Sequence, residues 1–219
     1  MKLYSASETR KIDNLAIKEN EITGYSLMQM AAEFSLDVIL SEFKPVEELI
    51  IFCSKGKNSG DGFLLGSFAK EFGLEVTVVM SYTPNELKGA SKKAFAEMKE
   101  SKVKTISNKS IGKLKVSNKA VIVDALIGTG LKGNLRKNIK DSILALNKLG
   151  VKSPVVSLDI PSGVNPDTGD AGDICVYADI TATFVAQKKG CFTSIGKKAS
   201  GEVIYSDLEI PKRIFSAVA

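Results

Sequence analysis

The residues able to do chemistry gather in three short stretches: Ser54-Lys55-Gly56-Lys57-Asn58-Ser59-Gly60-Asp61-Gly62, Asp124-Ala125-Leu126-Ile127-Gly128-Thr129-Gly130-Leu131-Lys132-Gly133-Asn134, and Asp159-Ile160-Pro161-Ser162-Gly163. The first is a glycine-rich turn opening a helix, where backbone N–H groups can hold a phosphate or pyrophosphate. A plain tight strand-to-helix turn has the same composition, and both readings stay open at this point. The stretch fits neither G-x-x-x-x-G-K-[ST] nor G-x-G-x-x-G, and the next apolar run, Val76–Met80, leads into Ser81 rather than an acid. That argues against a P-loop kinase and a standard dehydrogenase. The other two stretches each begin with an aspartate directly after an apolar run. Either alone reads equally well as a cap or turn former. Taken together, the oxygens of Asn58, Asp124 and Ser162 would suit a hard cation, monovalent rather than calcium because only one carboxylate is in the set. Asp159 is then left as a candidate acid/base whose pKa burial would raise.

Composition narrows the chemistry further. The chain has 219 residues, a formal charge of +5 and no histidine. Imidazole shuttles, Ser-His-Asp triads and His-ligated zinc are therefore excluded. Cys53, Cys175 and Cys191 are widely spaced without a C-x-x-C pair, which suggests neither a disulfide framework nor a zinc knuckle and fits a reducing compartment. The first residues, MKLYSASETRKIDN, turn polar before an apolar signal region forms, and a cytoplasmic protein is expected. Lysine crowds Lys92–Lys119 with Phe95 as its only aromatic and no arginine, so a solvated surface is expected there rather than a nucleic-acid patch.

These residues need elements to position them. Ser5 and Glu8 form a capping-box pattern ahead of Ile12, Leu15, Ala16 and Ile17, which predicts an N-terminal helix. A second helix is expected over Ser26–Phe43, stopped by Pro45. Candidate strands follow at Leu49–Cys53, Val76–Met80, Val103–Ile106, Ala120–Val123, Val155–Leu158, Ile180–Phe184 and Val203–Tyr205, with helices at Asp61–Phe72, Pro84–Lys99 and Arg136–Leu149, the last closed by Gly150. Nearly continuous apolar strands joined by helices predict an α/β fold with a mostly parallel sheet covered on both faces. The last two strands lack a long helix between them and are expected to form a hairpin or an edge extension. With no repeat or linker, one domain over 1–219 is expected. In such a sheet, ligands bind beyond the carboxyl ends of the strands, where all three stretches fall.

Together the three motifs, with Leu27-Met28-Gln29-Met30-Ala31-Ala32, Thr183-Phe184 and Lys188-Lys189-Gly190, resemble the YjeF N-terminal domain family of NAD(P)H-hydrate epimerases. The resemblance implies a Rossmann-like three-layer α/β/α sandwich, a homodimer, and interconversion of the R and S epimers of hydrated NADH or NADPH. It implies a potassium ion held by Asn58, Asp124 and Ser162. It implies substrate binding by Lys57, Asn58, Ser59, Gly60 and Asp61, by Gly128, Thr129, Gly130, Leu131, Lys132, Gly133 and Asn134, and by Asp159. Asp159 is the expected acid/base, donating a proton to the leaving hydroxyl and then helping to deliver water to the other face. Lys188 is expected either to support it electrostatically or to be one surface lysine among many. Relatives often carry a dehydratase domain; none is expected here, so a separate dehydratase is the implied partner. The first motif departs from the family's G-x-G-N-N-G-G-D-G at Ser54, Lys57 and Ser59, Ile127 stands where Phe is usual, and Gln29 where Glu is usual. Ser59 is expected to add a side chain where backbone approaches phosphate. These departures keep open an alternative from another class: a catalytically degenerate ligand- or RNA-binding and dimerisation module of the same fold.

Overall fold

Ser5 caps the first helix as its spacing predicts: its N–H donates to Glu8 at 2.7 Å and the Glu8 N–H donates back to Ser5 Oγ at 3.2 Å. The computed structural model describes residues 2–19, 23–131 and 133–218. Helix α1 (Ala6–Glu19) is followed by α2 (Gly24–Glu42), whose N-cap Thr23 accepts from the Ser26 N–H. The strands are β1 (Glu48–Cys53), β2 (Glu75–Met80), β3 (Lys104–Ser107), β4 (Ala120–Ala125), β5 (Val155–Leu158), β6 (Ile180–Phe184) and β7 (Glu202–Ser206). Helices α3 (Lys57–Phe72), α4 (Gly89–Glu100), α5 (Lys137–Gly150), α6 (Ser194–Ala199) and α7 (Lys212–Ser216) complete the element order.

All seven strands are parallel, in the order β3-β2-β1-β4-β5-β6-β7. The chain runs outward from β1 through β2 to β3, then returns to place β4 on β1's other side. The crevice between β1 and β4 is thus the switch point where such sheets bind ligands. Alternate strand residues divide the core: Leu49, Ile51 and Cys53 pack with α1 to α4 and α7, while Ile50 and Phe52 pack with Ile139, Ile143 and Leu146 of α5. This is the three-layer Rossmann-like architecture.

The sequence-based expectations need four adjustments. β6 and β7 are not a hairpin; they pair in parallel through a short crossover containing α6, so the edge extension is the arrangement observed. α3 starts at Lys57 rather than Asp61, with extended Gly56 as its N-cap, and its glycines let it pack closely: a Cβ on Gly62 would lie 2.5 Å from Ala125 Cβ and 2.9 Å from Cys53 Sγ. The segment after β2 divides into a short 3-10 turn, Pro84–Glu86, and α4. Gly150 is the last residue of α5, not the residue that closes it. In the lysine-rich segment every lysine is exposed except Lys119, which is partly covered and pairs with Glu47. No helix among the described residues is long and apolar enough to cross a membrane.

Candidate functional site

A cavity of 640 Å³ opens over the carboxyl ends of β1, β4 and β5, within the range of small-molecule sites. Its wall includes Lys57, Asn58, Asp61, Gly128, Thr129, Gly130, Leu131, Asn134, Asp159 and Lys188. Gly133 is exposed outside that wall, and Lys132 lies outside the described residues.

Of the two strand-end aspartates, Asp159 lines the cavity, whereas Asp124, like Ser162, is fully buried and not part of its wall. Asp124, the penultimate residue of β4, is wholly buried and accepts four hydrogen bonds. Leu126 N–H at 3.2 Å and Ser162 O–H at 2.6 Å donate to Oδ1. Ser157 O–H at 3.0 Å and Ser162 N–H at 2.7 Å donate to Oδ2. Burial pushes its pKa up, and the Ser162, Leu126 and Ser157 bonds pull it back. Asp159 follows β5 with φ 71°, a left-handed conformation that aspartate tolerates better than most side chains. Its Oδ2 accepts the Thr129 N–H at 2.9 Å and its Oδ1 is ion-paired with Lys188. A Cβ on Gly128 would collide with Oδ2, so only glycine lets this loop close on the carboxylate.

Lys188 is not a surface lysine: it is 0% exposed. Besides Asp159, its ammonium donates to Thr183 Oγ1 at 3.1 Å and to the Phe184 carbonyl at 2.7 Å, using all three protons. The Thr183 hydroxyl in turn donates to the Asp159 carbonyl at 2.8 Å. The neighbouring wall residue Val185 has φ 68°, a costly geometry for a β-branched residue, and such strain concentrates at functional sites.

The first loop behaves differently from its composition-based expectation at one position. Ser59 is 0% exposed, and its hydroxyl accepts from Ser54 N–H at 2.6 Å and donates to the Ala125 carbonyl at 2.7 Å. It ties β1's exit to β4's exit instead of projecting into the cavity. Gly60 also stays out of the wall, facing Met28. Asn58 is 6% exposed, and both its amide oxygen and its amide nitrogen lack a hydrogen-bond partner. Such a group is costly unless a ligand completes it. Gly56 gives α3 no side-chain cap, so the N–H groups of the first turn remain available to an anion.

Two further carboxyls line the cavity. Asp61 is pushed well above the usual range by burial and by the nearby carboxylates of Asp159 and Asp13. Asp13 of α1 is pushed up to about 6, first by burial and then by Asp159, with Lys188, Lys57 and Arg10 opposing. The sequence reading missed Asp13, although a signal was there: it falls on the stripe of Thr9, Ile12 and Ala16 that α1 buries.

The model of the YjeF-related protein N-terminus family matches residues 24–190. This chain belongs to that family. Relatives that share its YjeF-related domain cover nearly the whole chain. The NAD(P)H-hydrate epimerase of Elusimicrobium minutum is 32% identical, covering 100% of this chain and 100% of its own length. That of Pirellula staleyi is 29% identical over 99% of this chain and 96% of its own. The bifunctional NAD(P)H-hydrate repair enzyme Nnr of Coxiella burnetii is 34% identical over 99% of this chain, which spans 43% of that longer protein. Among solved structures, yeast ynu0 (YNL200c) superposes with a TM-score of 0.82 at 20% identity, covering 100% of this chain and 94% of that one, which establishes the shared fold. The YjeF-related match begins at α2, so α1 and Asp13 lie ahead of it.

Proposed function

We propose that this chain is an NAD(P)H-hydrate epimerase, interconverting the two C6 epimers of hydrated NADH or NADPH in the cytoplasm. Near full-length similarity to proteins of that name supports the reading. The observation that carries it is the buried Asp159–Lys188 pair, open to a cavity shared with an uncapped helix N-terminus that suits a nucleotide's phosphates. The reacting carbon bears a hydroxyl next to the ring nitrogen. Loss of that hydroxyl with a proton gives an iminium, and water returning to the other face inverts the centre. Both Asp159 oxygens already accept hydrogen bonds, so Asp159 enters as the proton acceptor that activates the returning water. Lys188 holds it in place. Of the two steps expected of Asp159, donation to the leaving hydroxyl and delivery of water, this reading keeps the second.

In the same reading, Asn58, Asp124 and Ser162 hold a potassium ion. The unpartnered Asn58 amide supports it, as does the Ser162 hydroxyl, which has a second acceptor in the Ile127 carbonyl at 3.1 Å and so can release Asp124 Oδ1. When bound, the ion would supply positive charge beside the nucleotide's phosphates. Lys57, Asp61, the Gly128–Asn134 loop and Asp159 then contact the nucleotide. A homodimer and a separately encoded dehydratase complete the proposal. The test is to incubate the protein with one epimer of hydrated NADH in potassium buffer and, in parallel, sodium buffer, following the other epimer by chromatography. Equilibration far above the spontaneous rate in potassium is expected; equal rates with and without protein reject the reading.

A further inference from the structure

Inversion needs a proton given on one side of the reacting carbon and a proton taken on the other. Asp159 is poorly placed to do both: its oxygens are pinned by Lys188 and by the Thr129 N–H, and its backbone is locked at the end of β5. A second proton carrier has to come from elsewhere in the wall.

We propose that Asp13 of α1 is that carrier, giving its proton to the leaving hydroxyl while Asp159 takes one from the incoming water. The inference rests on the epimerase reading. Asp13 lines the cavity and is only partly covered, and its buried Oδ1 has no hydrogen-bond partner among the described residues, so the carboxyl is held by no local bond at that oxygen. Among the described residues no side-chain hydrogen bond ties it into a network as four donors tie Asp124. Its helix is held over the site from three directions. Tyr4 bridges Lys188 in parallel, with Tyr4 N–H to the Gln187 carbonyl at 2.8 Å and Lys189 N–H to the Tyr4 carbonyl at 2.9 Å. The Ala6 N–H donates to Asp167 at 2.6 Å, and Arg10 reaches the Thr129 carbonyl at 3.5 Å.

The charged groups facing Asp13 fit the task. Arg10 comes from its own helix, Lys57 and Asp61 from α3, Asp159 from β5's exit and Lys188 from β6's exit. Burial and Asp159 favour the neutral acid, while the three cations keep ionisation within reach, at about 6. Asp61 is pushed up as well, by burial first and then by Asp159 and Asp13. The step balances. As the ring nitrogen's lone pair forms the C=N bond, the C–O bond breaks and the hydroxyl leaves as water with Asp13's proton. Water then adds to the opposite face, its proton passes to Asp159, and the π electrons return to nitrogen. Solvent returns the proton from Asp159 to Asp13, and the reverse direction exchanges the roles.

The experiment compares wild type, Asp13→Asn and Asp13→Glu with a single epimer of hydrated NADH in potassium buffer, from about pH 5 to about pH 8. Calorimetric affinity for the equilibrated mixture of epimers is measured alongside. The expected result is a fall of about 100-fold in kcat for the Asn variant with affinity nearly unchanged, partial recovery in the Glu variant, and a wild-type kcat/KM that declines above about pH 6. An Asn variant with near wild-type kcat overturns the proposal, as does one losing affinity and kcat/KM in equal measure, since Asp13 would then only bind. If the Asn variant does not fold, the wild-type profile decides: no decline above about pH 6 overturns it. A wild type that binds the mixture but does not speed its interconversion rejects the epimerase reading itself, a result distinct from an active wild type with an unimpaired variant.

Discussion

At the exits of β4 and β5, one strand apart, stand two buried aspartates whose partners differ. Asp124 is surrounded by neutral donors, four bonds filling its four lone-pair directions. Asp159 faces an ammonium and one amide, and its remaining lone pairs open into the cavity. The first arrangement ties β4 to β5 and to the loops that follow both strands; the second leaves a carboxylate at the cavity wall with fewer donors. Position in the sheet gives burial, and the choice of partner gives the role.

The sharpest way to break this contrast is Asp124→Ala, which strands the Ser157, Ser162 and Leu126 donors. At roughly 1–3 kcal/mol per unsatisfied group, it is expected to cost about 5 kcal/mol in urea unfolding. Asp159→Asn is expected to do the converse. Asparagine also tolerates φ 71°, so the fold persists while turnover falls about 1000-fold, roughly 4 kcal/mol of barrier, by epimer chromatography. A result in which Asp159→Asn unfolds the chain and Asp124→Ala does not would invert the assignment. Gly128→Ala tests whether the loop's closure on Asp159 matters: the new Cβ must displace Oδ2, with an expected loss of about 30-fold in kcat and little change in melting temperature.

The smallest effect concerns stability alone. Asp13 is raised from 3.8 to about 6 in the folded chain, so folding takes up a proton between those values. The stability this confers is complete below about pH 4 and lost as pH rises through about 6. Asp13→Asn is therefore expected to match wild type near pH 4 and to exceed it by up to about 3 kcal/mol at pH 7 and above, measured by thermal unfolding across pH. Stability gained where activity is lost marks a residue kept for function.

The five inner strands were legible because their apolar runs are buried on both faces of the sheet, and β5 and β6 coincide with the predicted residues. The order β3-β2-β1-β4 was not, since nothing local tells β4 to return to β1. Asp124, Asp159 and Asn58 announced themselves through motif and position. Lys188 was named only through the family resemblance, with a surface lysine as its other reading: the chain has 30 Lys and Arg side chains, and the Thr183, Phe184 and Asp159 acceptors distinguish this one from its exposed neighbour Lys189. Ser59 misled because its hydroxyl's partners, Ser54 and Ala125, become neighbours only once β1 and β4 pair. Asp13 was missed because its helix was read only through its apolar residues, although it shares the stripe of Thr9, Ile12 and Ala16.

The docking of α1 also has a meaning for folding. Its tether from Ala6 to Asp167 spans 161 positions of chain, and the Tyr4 bridge to Lys188 is longer still. Contacts of such separation are slow to close and are among the first to open locally. The parallel sheet can therefore be assembled while the cavity still lacks its roof. Amide exchange in α1 is expected to report that opening separately from the protected strands beneath it, and ligands that touch Asp13 would slow it.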